Sequence, residues 1–548
     1  MWNMFVSYLP DWTVFLQALI VVSIPYVLSR IMSMTKNAAD SNIKQDDQEA
    51  NPQRDFSGKL DNDLDRMRTE FGDQADLNIR TFCLGNTNQQ AAILFVNGIS
   101  DRDLIDKHIL KSLMVDLALV GHERGRDASS PPFTKQYLKN NVLSVGVVKE
   151  VDRFTDLSSE LLRGHTALLL DNSNGSVIIL GTRKEITRSA GEPSSEILVR
   201  GPRLGFNESI CDNTTLLRQH GEKTNLTITQ LRVGQRVTKE LAIVYIKDIA
   251  DENLVQEVRE RVERMNLDDI QDTGYIEQLI EDNYLSPFPQ VQSTERLDRV
   301  ISALMEGRVA ILLDGTPFVL TVPTTFNMLL QSPEDYYERW IPGTLVRMLR
   351  YFAAFVSTFG PSLYISFISF HQGLIPTKLA LSIADTRAGV PFPSLIEVLI
   401  MEIALEILRE AGLRLPKPIG QTIGIVGGLV IGEAAVQAGI VSPLMVIVVA
   451  VTAISSFAIP QYNAGIALRI LRFIAMIFAA TFGLYGVVLF FLLLCSHLSK
   501  LISFGVPYIS PAVPYRLQDW KDFLVRAPFK LMKHRPKMMN TKDPLRRK

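Results

Sequence analysis

The chain has 548 residues, 21% of them charged and 47% hydrophobic, with a mean hydropathy of +0.13. By length alone it would divide into roughly three or four soluble domains of average size. The distribution excludes that: Pro418–Leu468 carries one charge, Glu433, and Phe473–Ser499 carries no Asp, Glu, Lys or Arg. Apolar stretches this long read as membrane spans, because about 20 helical residues cross the hydrocarbon core. A fully embedded protein is also excluded, since most of the chain before Arg350 is an ordinary polar and apolar mixture.

The net charge of −1 hides an asymmetry. Lys500–Lys548 holds twelve Lys or Arg against three Asp, a net of +9, which leaves −10 for the rest. A basic segment directly after a span points to anionic cytoplasmic lipid or the positive-inside rule rather than to nucleic acid. Cys83, Cys211 and Cys495 lie far apart, with no CxxC pair, and the seven histidines show no ligand spacing. No disulfide framework, metal site or cofactor motif is expected, and without GxxxxGK, GxSxG or GxGxxG no enzyme is expected either.

In chain order, residues 1–35 contain an apolar run, Trp12–Met32, with Arg30 near its end and Lys36 after it. It reads as an N-terminal membrane anchor or a membrane-surface helix. Residues 36–56 are polar and read as a flexible linker. Mixed α/β signals follow. Ala91–Val96 is a buried-strand candidate ending at Asn97-Gly98, and Asp103–Leu119 has helical periodicity. The Pro-containing break at Ser129–Phe133 places a boundary there, giving one α/β lobe at 57–135 and a second, with connecting helices, at 136–340. Hairpins are expected where Thr166–Leu170 and Val177–Leu180 flank Asn172–Gly175, and where Val309–Leu313 and Phe318–Val322 flank Asp314–Pro317. Leu241–Ile246 is a further strand and Glu252–Met265 an amphipathic helix. No repeat of fixed period is visible. Between these elements Arg200, Gly201, Pro202 and Arg203 form a fixed-loop candidate. It would either recognise an anion through its guanidinium forks or pair with acids of a neighbouring lobe or subunit.

Residues 341–499 read as a helical transmembrane domain. A first span at Phe352–Phe370 follows Arg339, Arg347 and Arg350. In Ser394–Ala411, Glu402, Glu406 and Arg409 share a wedge about 60° wide at 100° per residue, with Glu397 opposite. Such a stripe lines a pore or ion site, or forms the wet face of an interfacial helix. Gly420, Gly424, Gly428 and Gly432 make a ridge without side chains that permits close helix packing. Glu433 beside it is either a proton-linked or gating carboxylate or a solvated helix end. Ser442–Pro460 and Phe473–Cys495 are further apolar segments. Both soluble ends in the cytoplasm require an even number of crossings, four being the simplest. Residues 500–548 are expected as a basic cytoplasmic tail.

Several long strings resemble the A subunits of bacterial spore germinant receptors, the GerA-type family. They are Leu198–Ser209 with Asn213–Arg218, Glu306–Pro323, Gln331–Trp340, Pro391–Pro416, Gly428–Pro443 and His497–Pro511. The resemblance implies an α/β two-lobed cytoplasmic N-terminal region followed by an α-helical multi-pass membrane domain in the spore inner membrane. It further implies a transporter-like B subunit and a lipoprotein C subunit as partners, and a homo-oligomer that forms or gates an ion-release channel. A non-conducting scaffold subunit and a paralogue of the stage V sporulation AF type remain the alternatives. The 12–32 segment and the Gln372-Gly373 pair depart from the usual pattern.

Overall fold

The computed structural model describes residues 56–71, 76–119, 133–171, 175–184, 191–193, 195–220, 225–416, 428, 431–516 and 518–546. The 12–32 segment and all but the last residue of the expected linker lie outside them.

The soluble part is one motif used twice. In lobe 1, α1 (Leu60–Phe71) precedes β1 (Leu77–Cys83) and β2 (Gln90–Val96). A helical segment, α2, follows from Arg102–Leu104 through π-helical turns at Ile105–Leu110 and Ser112–Asp116. Then come α3 (Lys135–Asn141), β3 (Val148–Val151), α4 (Phe154–Leu162), β4 (Thr166–Leu170) and β5 (Val177–Leu180). Lobe 2 repeats the order with α5 (Ile210–His220), β6 (Leu226–Val233), β7 (Lys239–Ile246), α6 (Glu252–Glu263) and α7 (Thr273–Ile280). It closes with β8 (Gln292–Thr294), α8 (Leu297–Met305), β9 (Val309–Leu313) and β10 (Val319–Val322). The sheets run β1-β2-β4-β5-β3 and β6-β7-β9-β10-β8, both antiparallel. Both expected hairpins form.

The central strands β4, β5, β9 and β10 are buried at every position, which is why they read as continuous apolar runs instead of alternating ones. Helices cover both faces of each sheet, so each lobe has two apolar clusters. The corresponding helices α2 and α6 even start alike, each N-capped by an aspartate, Asp101 and Asp251, accepting from a backbone amide. A buried bidentate pair joins the lobes: Arg218 on α5 donates to both oxygens of Asp76 at 2.8 and 2.9 Å. The expected boundary at 135/136 is therefore displaced. It falls inside lobe 1, whose sheet takes β3, β4 and β5 from beyond it. The Pro-containing break marks a connection between helices, not between lobes.

After α9 (Phe326–Leu330) and α10 (Glu334–Tyr337) the helical region begins with α11 (Trp340–Ser369). It continues through α12 (Thr377–Arg387), α13 (Ser394–Arg414), α14 (Pro443–Phe457) and α15 (Tyr462–Lys500). By length and apolarity α11 and α15 qualify as membrane spans, and α14 is a shorter apolar helix.

The helix α15 is a hairpin. Its start lies on lobe 2, where Gln461 donates to the Ser293 carbonyl at 2.6 Å, and its end returns there, where His497 meets Ser286 at 2.9 Å. A straight helix would hold those ends about 54 Å apart, whereas Ser286 and Ser293 are seven residues apart and span at most about 25 Å. The reversal is at Gly483, at φ +61° and ψ −140°, and the Phe478 and Phe490 rings meet across it, tilted, at 5.4 Å between centroids. The segment Phe473–Cys495, expected as one span, is thus two arms meeting at a turn.

Contacts fix the level of each helix end. Lobe 2 holds the near level, and Phe370 with His371 against Gly483 marks the far level. Ser394 meets Ser369 at the far level and Ser442 meets Tyr364 just below it, while Arg409 meets Ser456 towards the near one. The helices α13 and α14 therefore both run from far to near.

The C-terminal segment is not a free basic tail. It forms β11 (Ile502–Ser503) and β12 (Val506–Pro507), buries Phe504, Tyr508 and Met539, and packs on lobe 2. Tyr508 donates to the Pro289 carbonyl at 2.7 Å, and Lys542 and Arg546 pair with Glu252 and Glu306, each at 2.6 Å. Two of the basic residues read from composition as lipid-facing, Lys542 and Arg546, are here paired with acids of lobe 2.

A Cβ at position 483 would come within 2.9 Å of His371 and 3.0 Å of Phe370, at a backbone conformation that only glycine adopts readily. Gly483→Ala is expected to cost about 1–3 kcal/mol, read as a lowered unfolding midpoint in detergent. Gly465→Ala, in open space on the same helix, should be neutral or raise stability by up to about 1 kcal/mol.

Candidate functional site

The helix α13 brings Glu402, Glu406 and Arg409 to one side, as the 3.6-residue period requires. They face the rising arm of α15. One nitrogen of Arg472, Nη2, lies 3.1 Å from Glu402 Oε2 and 3.1 Å from Glu406 Oε1. Arg409 approaches Glu406 at 3.6 Å and Arg469 approaches it at 3.9 Å. Glu402 and Arg472 are each 1% exposed and Glu406 is 30% exposed. Three cations therefore surround two carboxylates within a bundle whose outer face at this height carries exposed Ile403, Ile407, Ile470 and Ile474. Charges held among apolar helices are costly unless paired, and this cluster pairs each carboxylate within the chain.

Glu397, on the other side of α13, is fully buried and also paired. It accepts from Arg387 at 2.5 Å and from the backbone and hydroxyl of Ser442 at 3.2 and 3.1 Å. Ser442 is the N-cap of α14, so the carboxylate sits at the positive end of that helix.

Glu433 behaves differently. It is exposed on a helical stretch at 431–437, accepts from Gln437 at 3.1 Å, and has no cation partner among the described residues. Gly420 and Gly424 lie outside the described residues. Gly428 has open space around it, and a Cβ at Gly432 would make ordinary contact with Val446 at 3.5 Å. No tight approach demands a glycine at either described position.

The loop of Arg200, Gly201, Pro202 and Arg203 is held from behind. Buried Arg296 donates to the Pro202 carbonyl at 2.7 Å, Val199 donates to Glu334 at 2.5 Å, and Gly201 lies on the Tyr337 ring. Arg203 pairs with Glu192 at 3.6 Å in a largely exposed contact, and Arg200 points to solvent. This geometry is that of a connector between the lobes.

Two loci escaped sequence reasoning because their partners are remote in sequence. At the base of α11, Arg347 reaches Asp335 at 3.1 Å and Asp522 at 2.8 Å, and Arg350 reaches Asp335 at 2.7 Å. On α7, Glu277 is packed beside Asn463 at the start of α15. Burial, then Glu281 and Asp272 nearby, push its carboxyl up to about 7, against the opposing hydrogen bond from Asn463.

The family described as "Bacillus/Clostridium GerA spore germination protein" matches residues 65–538. The chain belongs to the GerA spore germination family. It is 42% identical to spore germination protein GerLA of Bacillus cereus over 89% of this chain and 97% of that protein. It is 43% identical to spore germination protein B1 of Bacillus subtilis (strain 168) over 89% of this chain and 99% of that protein. With spore germination protein A1 of the same strain it shares 49% identity over 69% of this chain and 78% of that protein. A crystal structure of the N-terminal domain of the A subunit of the Bacillus megaterium spore germinant receptor GerK3 aligns with 50% of this chain and 97% of that domain. The identity there is 30% and the TM-score 0.39. As an A-type GerA chain, the protein combines two α/β lobes with an apolar helical region.

Removing Arg472 would leave two carboxylates without their nearest cation. Arg472→Met is expected to destabilise the helical region by about 3–5 kcal/mol, and Glu402→Gln combined with Arg472→Gln should recover a large part of that. Thermal unfolding of the three proteins in one detergent checks it. For Glu277 the folded carboxyl titrates above its unfolded value of about 4.5, so the native state binds the extra proton between about 4.5 and 7. Stability should therefore fall as pH rises through that window, by on the order of 1–3 kcal/mol, and Glu277→Gln should flatten the slope. Unfolding midpoints measured from pH 5 to about 8 test the sign.

Proposed function

We propose that this chain is the A-type membrane subunit of a nutrient-sensing spore germination receptor, and that its helical region forms or gates an ion-release path in a homo-oligomer. The observation that carries the reading is a GerA match across nearly the whole chain, joined to a cluster of paired charges inside an apolar bundle. Buried ionisable groups at that depth are rare unless they serve a pathway or a switch. The levels of the helix ends support a multi-pass region. The helices α11, α13 and α14 and the two arms of α15 each run between one level and the other, and the chain between Arg414 and Ser442 returns to the far one. Six passages keep lobe 2 and the C-terminal segment on one side, the cytoplasmic one, in place of the four expected from hydropathy.

In this reading the three acidic residues divide the work. Glu402 and Glu406 are taken by Arg472 and hold α13 against α15. Glu433, exposed and without a cation partner among the described residues, lies where copies around an axis would present a ring of carboxylates attractive to cations. A transporter-like B subunit and a lipoprotein C subunit would complete the receptor in the spore inner membrane. No catalytic step is assigned to any residue.

The test is ion flux from liposomes or cells at matched protein level. Glu433→Gln should lower cation selectivity, and Glu402→Gln and Glu406→Gln should change gating more than selectivity. Normal flux in all three would favour a scaffold subunit, for which the internally neutralised Glu402–Arg472 pair is the supporting observation.

A further inference from the structure

Where lobe 2 meets the near ends of α13, α14 and α15 there is a cleft of about 320 Å³, lined on one side by Ser195–Leu198 and on the other by Arg409, Ser456, Gln461 and Arg469. Its size falls in the range of small-molecule sites. Its charge is unbalanced. On the lobe side Arg296 is matched by Asp298 and Arg299 by Glu196. On the helix side Arg409, Arg469 and Arg472 face, among the described residues, Glu402 and Glu406, which leaves one positive charge over.

The donors of that excess are incompletely satisfied. Arg409 gives one nitrogen to Ser456 at 3.2 Å, while its other terminal nitrogen, 3.6 Å from Glu406, is buried without a hydrogen-bond acceptor among the described residues. Arg469 comes no nearer than 3.9 Å to a carboxylate, beyond hydrogen-bonding distance. Both guanidiniums lie over exposed aromatic rings, Arg409 at 4.8 Å from Phe457 and Arg469 at 5.9 Å from Tyr462. Gln461 adds a buried side-chain oxygen that lacks a donor. Guanidinium forks call for phosphate or carboxylate oxygens, and the unmet acceptor calls for a hydroxyl. The rim supplies the third requirement. Leu413, Phe457 and Tyr462 are 63%, 72% and 56% exposed at the ends of apolar helices, where aromatic side chains sit at a membrane surface.

We propose that this cleft binds the phosphate of an anionic phospholipid with a hydroxylated headgroup, its acyl chains lying along α13 and α14. A lipid seated there would neutralise the surplus cation and join lobe 2 to the two helices. The site does not depend on whether the bundle conducts.

The full-length protein, purified in mild detergent, is offered equal phosphatidylglycerol and phosphatidylcholine, and retained lipid is counted by native mass spectrometry. Phosphatidylglycerol should be retained in preference. Arg469→Gln should reduce that preference about fivefold and Arg409→Gln with Arg469→Gln about 25-fold, at one favourable contact per arginine. Arg414→Gln, whose exposed partner is Glu410, should change nothing. Arg469 makes no hydrogen bond among the described residues, so the single variant is the safer fold, checked by its circular dichroism. Equal retention by wild type and Arg469→Gln overturns the site, as does an equal loss in Arg414→Gln. A separate arm adds inorganic phosphate to protein held in phosphatidylcholine alone. Stabilisation by phosphate equal to that by phosphatidylglycerol overturns the lipid in favour of a free anion.

Discussion

The way the lobes, the helical region and the C-terminal segment meet depends on one buried guanidinium. Arg347, 0% exposed, sits on the second turn of α11 and is held by Asp335 from the end of lobe 2 and by Asp522 from the C-terminal segment. Two carboxylates and two arginines, with Arg350 as the second cation, balance in charge, so each part must be in place before the others can be buried. Tyr336 donates to the free oxygen of Asp522 at 2.7 Å, and Arg526 caps the same corner through the Glu338 carbonyl at 3.0 Å. Gly343 permits the approach, since a Cβ there would lie 2.8 Å from the Asp335 carbonyl oxygen. A segment whose composition suggests a loose basic tail is thereby a structural member, and its acidic residue matters more than its many basic ones.

From that corner the constraint passes upward. Its direction fixed at the base, α11 lies against the second arm of the Gly483 hairpin, with the Phe359 ring centroid 6.1 and 5.8 Å from those of Phe490 and Phe491. Polar groups inside the bundle are then distributed by level. Glu397 with Arg387 and Ser442 lies towards the far level, and the Glu402, Glu406 and Arg472 cluster lies nearer lobe 2. Each carboxylate at these depths finds a cation within its own chain. The surplus in the lower cluster is cationic and lies nearest the boundary, where solvated or lipid anions can reach it.

How much of this was legible follows from where each signal lies. The strand runs were readable because burial on both faces makes them continuously apolar, and the Glu402–Arg409 stripe because it is local to one helix. Arg472 was readable only as a flanking charge, since nothing in the order of residues says that it turns inward to α13. The Gly483 turn was hidden in an uncharged run with good helical character. Its signals were the Gly483 and Gly486 pair beside Tyr485, and a helix longer than one crossing needs. The duplication of the lobes was hidden because the copies share burial pattern and strand order rather than residues. What survives of it in sequence is small, such as Asp101 and Asp251 capping equivalent helices.

The contacts also divide the bundle into a part that must follow lobe 2 and a part that need not. The helix α11 is tied to lobe 2 by the Arg347 corner, and the two arms of α15 by Gln461 and His497. No hydrogen bond or ion pair among the described residues joins α13 to lobe 2. Its attachments are to other helices, through Ser369, Ser442, Ser456 and Arg472. A small movement of lobe 2 would carry α11 and α15 as a unit and work against α13 at the Arg472 contact. Sliding of packed helices is a recognised form of conformational change, and it needs an interface with two discrete arrangements. Arg472 lies 3.1 Å from both Glu402 and Glu406, one turn apart on α13, so a shift of the helices would move it towards one carboxylate without losing both. The cleft proposed to hold a phosphate is lined by Arg409 and Arg469, the other two cations near Glu406, so filling it would bias the choice by drawing them away from that carboxylate.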